Sequence, residues 1–158
     1  MTPDIAQALQ DCCDSANRPS AVKRLRELME RVLIERLTIL SVDRDFIDAA
    51  IEETFLSFAA SVDCSVQVNW LAWITATAMS VLVEHTGNLS WLDKFSNRLA
   101  AGSLRERRAL VFGSILALDG HCQWALLRAI PSVLYRFLVG KCEAQLNERL
   151  AELVNHGL

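Results

Sequence analysis

The side chains best equipped for chemistry are the five cysteines, Cys12, Cys13, Cys64, Cys122 and Cys142, and the histidines His85 and His121. Structural zinc is held by Cys and His pairs two to four residues apart. Cys12-Cys13 and His121-Cys122 are adjacent in the chain, and Cys64 and His85 stand alone, so no metal is expected. An odd number of cysteines without framework spacing suits reduced thiols and a cytoplasmic setting. Catalysis finds no foothold either. The chain has no Gly-rich phosphate loop, no Ser or Cys in a nucleophile motif and no Glu-x-x-His pair, so neither an enzyme nor a cofactor is expected. The Glu52-Glu53 pair, taken alone, reads as a solvated helix face.

The elements that carry these residues are helical. Glycine is sparse, proline occurs three times, and apolar residues recur at three and four. Thr2-Pro3 opens a short first helix, and Asn17-Arg18-Pro19-Ser20 breaks it. Ser20 is expected to cap a long amphipathic helix with Leu25, Leu28, Met29, Val32, Leu33, Leu37 and Leu40 on one stripe. Asp43 caps a third helix through Phe58, with Asp45 and Asp48 complementing its N-terminal dipole. A fourth, apolar almost all round, runs from about Val66 to Glu84 and stops at Gly87. That pattern means either a buried central helix or a surface given over to a partner, with Trp70, Trp73, Met79 and Leu82 as its interface. A short helix around Leu92 and Phe95 leads to Ser103-Leu104-Arg105-Glu106, a capping-box start. A helix ending near Gly120, a short one through Arg128, a break at Ile130-Pro131-Ser132 and a long final helix complete the chain.

The chain of 158 residues is 52% apolar and 22% charged, with a net charge of −3. Disorder is therefore not expected, nor a globally basic nucleic-acid binder. The longest apolar stretch, Trp70 to Val83, is too short to span a membrane and is broken by Thr75, Thr77 and Ser80. No lysine or arginine occurs between Arg44 and Lys94. Basic residues gather on either side, at Lys23 to Arg36 and at Arg105, Arg107 and Arg108.

Several short strings bear a resemblance. Glu52-Glu53-Thr54-Phe55-Leu56 looks like the core-binding helix of extracytoplasmic-function sigma factors, and Trp70-Leu71-Ala72-Trp73-Ile74 is similar to the start of their promoter-recognition helix. Leu104-Arg105-Glu106-Arg107-Arg108 resembles the opening of their C-terminal domain, and Ile130 to Arg136 the entry to its recognition helix. The resemblance implies an all-α protein of two small modules joined by a connector, the second a helix-turn-helix. The expected divisions are 1–19, a short helix; 20–87, the first module; 88–102, the connector; and 103–158, the second module. It also implies a polymerase-like contact surface at Asp48, Glu52, Glu53, Phe55 and Leu56.

The departures bear on DNA. Past Trp73-Ile74, where the family carries cations and amides, the chain reads Thr75-Ala76-Thr77-Ala78-Met79-Ser80. Leu134, Phe137, Leu138 and Val139 stand where a DNA reader shows polar side chains, so the residual DNA contacts are Arg105, Arg107, Arg108, Arg136 and Lys141. Phosphate contacts supply most protein–DNA affinity, so direct DNA binding is expected to be weak or absent. The leading expectation is a sigma-like regulator of transcription working through RNA polymerase, an anti-sigma factor or another regulator. A sigma factor with unusual promoter contacts is the second. A helical adaptor or homodimer unrelated to transcription is the third, and it predicts one continuous bundle with the fourth helix wholly inside.

Overall fold

The computed structural model describes residues 3–40, 43–87, 90–100, 102–128 and 136–155, without the side chains of Ser90, Trp91, Arg128, Arg136 and Phe137. Every regular element among them is a helix: α1 (Pro3–Asp11), α2 (Arg18–Leu37), α3 (Arg44–Ser61), α4 (Trp70–Thr86), α5 (Ser90–Ser96), α6 (Leu104–Leu116), α7 (Gly120–Arg128) and α8 (Arg136–Asn155). The expected all-α class holds.

Local signals set several boundaries. The Asp43 carboxylate accepts the Asp45 N–H at 3.0 Å and starts α3. Asn69 accepts from the Ala72 N–H and starts α4 four residues later than the apolar run suggested, because an unsatisfied helix N-terminus gains about 1 kcal/mol from such a cap. Gly87, at φ 66°, ends α4 in the left-handed conformation, its N–H bonded to the Val83 carbonyl. Gly102, at φ 85°, turns the chain into the Ser103 cap, where a Cβ would sit 2.6 Å from the Glu106 carboxylate. Ser103 in turn accepts the Glu106 N–H.

One expectation fails at the start of α2. The helix begins at Arg18, with Pro19 in its first turn, and Ser20 donates back to the Asn17 carbonyl instead of capping. The buried stripe on α2 is also narrower than expected: Ala21, Leu25, Met29, Leu33 and Leu37 recur strictly at four, while Val32 is half exposed.

The core is built around α4. Its residues from Ala76 to Val83 are buried without interruption, over more than two turns, so every side of the helix is covered. α3 covers one side, with a smaller contribution from α2, and α6 covers another; among the described residues the α4–α6 contact is the most extensive between two helices. α1 packs on α2, α5 on α6, and α7 and α8 on each other and on α6. One continuous cluster of buried side chains runs from Ala8 to Leu150. Of the expected modules at 20–87 and 103–158, α4 of the first buries its surface on α6 of the second, and the two share a core. The turn expected of a helix-turn-helix, at Ile130-Pro131-Ser132, lies outside the described residues.

The reduced-cysteine expectation is also overturned. Cys13, just past α1, is bonded to Cys64 in the α3–α4 connection, and Cys122 of α7 to Cys142 of α8, with Cα–Cα separations of 5.7 and 5.2 Å. Cys12 remains a buried thiol. Spacing could not show these bonds, since the partners lie 51 and 20 residues apart and meet only through helix packing. No described helix is long and apolar enough to cross a membrane.

Candidate protein-contact surface

α3 has two unlike faces. Ile47, Ala50, Ile51, Thr54, Phe55 and Phe58 point into the core, and Thr54 satisfies its hydroxyl on the Ala50 carbonyl at 2.7 Å. Asp45, Asp48, Ala49, Glu52, Leu56 and Ala60 form the opposite, exposed stripe, at helical spacing. Leu56 is 67% exposed, unusual for a leucine whose helix neighbours on the other face are fully covered. Phe46, at the start of the helix, adds a further partly exposed apolar side chain.

The five residues assigned to a polymerase-like surface therefore divide. Asp48, Glu52 and Leu56 share the outer face, where Asp48 also accepts from Arg44 at 2.9 Å. Phe55 is buried and packs edge-on against Phe58, with ring centroids 6.3 Å apart, so it is a core residue. Glu53 is turned toward α6, where its carboxylate takes the Arg105 guanidinium at 2.7 Å and faces the His85 ring at 3.1 Å. Arg105 completes the cluster with a two-pronged contact to Glu84, at 2.8 and 2.6 Å. Hydrogen bonds from Arg105 first, and then from His85, hold the Glu53 carboxyl below its ordinary range. Glu84 in turn pushes the Arg105 pKa upward, with Glu53 adding to it.

That cluster brings a cation from outside to the stretch that has none. α3 and α4 carry the carboxylates Glu53 and Glu84, and α6 delivers the cation across the α4–α6 contact. The Arg105 backbone joins in by accepting the Ser80 hydroxyl at 2.8 Å. Of the five residual DNA contacts, Arg105 is thus occupied. Arg108 makes a two-pronged pair with Asp93 at 2.9 and 3.0 Å, and Arg107 reaches the Leu99 carbonyl. The Arg136 side chain lies outside the described residues, and Lys141 is exposed on α8.

The apolar interface expected on α4 is likewise corrected. Met79 and Leu82 are 1% and 0% exposed, so they are core side chains with no surface to offer. Trp70 and Trp73 are half-buried and form an aromatic cluster with Phe58, at centroid distances of 5.5 to 6.3 Å. Trp73 also faces a groove of about 1000 Å³ bounded by α3, α4, α6 and α8. Small residues floor it, among them Ala72, Ala76, Ala109 and Gly113, and Arg149 and Glu152 stand at its α8 edge. Sequence reading missed this groove. Its only sequence signal was the spacing of four between Ala72 and Ala76 on α4 and between Ala109 and Gly113 on α6, which says that two helices approach closely but not what they leave open.

Among the described residues no group of three or more His, Cys, Asp or Glu side chains is arranged to hold a metal ion. Comparison with family models, with curated proteins and with solved structures found no match to this chain.

Proposed function

We propose that this chain is a protein-binding helical module that engages its partner through the outer face of α3 and makes little or no direct contact with DNA. The observation that carries the reading is the exposed stripe of Asp48, Glu52 and Leu56, acidic with one prominent apolar side chain, on a helix whose other face is fully packed. Charged rims around an apolar anchor favour a protein partner of opposite charge. The engagement of Arg105 and Arg108 in ion pairs supports the second half of the proposal, since cations held by carboxylates release no counterions on meeting phosphate.

In the sigma-like form of the proposal the partner is RNA polymerase, an anti-sigma factor or another regulator of transcription, and the module regulates through that contact. A helical adaptor or homodimer outside transcription is the second reading. The enclosure of α4 in a core shared with α6 and the groove beside it favour that second reading over a two-module sigma architecture. Purified bacterial core RNA polymerase separates the two. Saturable binding that Glu52→Lys weakens at least tenfold supports the sigma-like form, and no binding supports the adaptor. Salt-dependent binding of duplex DNA, with promoter-specific initiation, overturns the proposal in both forms.

A further inference from the structure

The two disulfides differ in what can reach them. Cys122 and Cys142 are 2% and 0% exposed, sealed between α7 and α8. Cys64 is exposed and Cys13 half-buried, and their bond ties the end of α1 to the connection between α3 and α4. Thiol–disulfide exchange needs a thiolate to approach a sulfur along the S–S axis, so access divides the reactive bond from the inert one.

We propose that Cys13 and Cys64 form a thiol–disulfide exchange site, opened by dithiol reductants and closed again by their cyclic disulfides, which clasps and releases the segment 62–69. A dithiol thiolate attacks the exposed Cys64 sulfur, forming a mixed disulfide and expelling Cys13 as a thiolate that takes up a proton. The second thiol of the reductant then displaces Cys64 as a thiol and leaves as a cyclic disulfide. The two electrons pass from reductant to protein, and the reverse sequence closes the bond. The Cys13 sulfur lies 3.6 Å from the Leu9 carbonyl oxygen, so the released thiol has an acceptor in place. Cys12 does not compete, because it is fully buried at the end of α1 and burial pushes its thiol above the ordinary range.

The clasp has a structural consequence. Cys64 sits in a turn where the Asp63 carboxylate accepts both the backbone N–H and the hydroxyl of Ser65, at 2.9 and 2.6 Å. A few residues on, Val68 and Asn69 form part of the wall of the groove beside Trp73. The bond to Cys13 therefore holds one wall of that groove to α1, and its opening removes the covalent tie lying between the ends of the segment, where Val62 sits in the core and Asn69 caps α4.

The test is a titration of the native, air-oxidised protein with dithiothreitol, followed by alkylation, mapping of the modified cysteines and amide hydrogen exchange. Cys13 and Cys64 should become labelled together at roughly tenfold or more lower reductant than Cys122 and Cys142, with Cys12 unlabelled. Exchange should rise across 63–68 and stay unchanged in α7 and α8, and the double variant Cys13→Ser/Cys64→Ser should match the reduced wild type. Reduction of both bonds together, earlier opening of Cys122–Cys142, full labelling of Cys13 and Cys64 without reductant, or equal exchange across 63–68 in both states would each overturn the proposal.

Discussion

α3 and α4 lie side by side and neither carries a cation beyond Arg44, yet they play opposite parts. α3 is covered on one face and keeps Asp48, Glu52 and Leu56 on the other, whereas α4 is covered all round from Ala76 to Val83. The lack of lysine and arginine on α4 is therefore a requirement of enclosure, since an unpaired charge there would lose its hydration without compensation. On α3 the same lack leaves a negative surface. A single compositional feature thus has two physical origins, and only the packing tells them apart.

The contrast breaks most sharply if α4 tolerates truncation. Leu82→Ala removes a fully buried side chain and should cost about 2–5 kcal/mol in denaturant unfolding. A cost below about 1 kcal/mol would place Leu82 at a surface and restore the expected interface. Next in size is Arg105→Gln, which leaves Glu53 and Glu84 without their shared cation. The side chains are about a third exposed, so solvent screens the loss to about 1–2 kcal/mol, measured in the same way. No measurable loss would mean that Arg105 is free for another ligand.

A smaller effect follows from the lowered pKa of Glu53. Its ion pairs stabilise the fold while the carboxylate is charged, so the contribution is complete above the ordinary glutamate pKa of about 4.3 and fades as pH falls through the lower folded value. The melting-temperature gap between wild type and Glu53→Gln should be constant from neutrality to about pH 5 and shrink below about pH 4. A gap that stays constant into acid would remove the pairing from the account. Smallest of all is Leu56→Ala, which should change stability by no more than about 0.5 kcal/mol because the side chain is mostly in solvent.

What could be read from the sequence was largely local. Asp43, the Ser103–Glu106 pair and Gly87 mark helix ends because the groups that bond there are at most four residues apart. The enclosure of α4 was legible as one of two alternatives, since an apolar helix looks the same whether its cover is the chain itself or a partner. Which alternative applies depends on α6, whose contact with α4 has no signature in either helix beyond the small residues at their seam. Which acids of α3 face solvent was half legible for a related reason. Glu52 and Glu53 are adjacent and chemically identical, and a rotation of one residue along the helix sends the first to solvent and the second to Arg105, 52 positions away. The disulfides were illegible for want of any local pattern.

The most direct measurement compares the proteins that co-purify from the native cell with the wild-type chain and with Glu52→Lys/Leu56→Glu, a double variant confined to the outer face of α3. The account predicts that the double variant unfolds at the same denaturant concentration as wild type and loses the wild-type partner. Retention of the same partner at undiminished yield by the folded variant would contradict it.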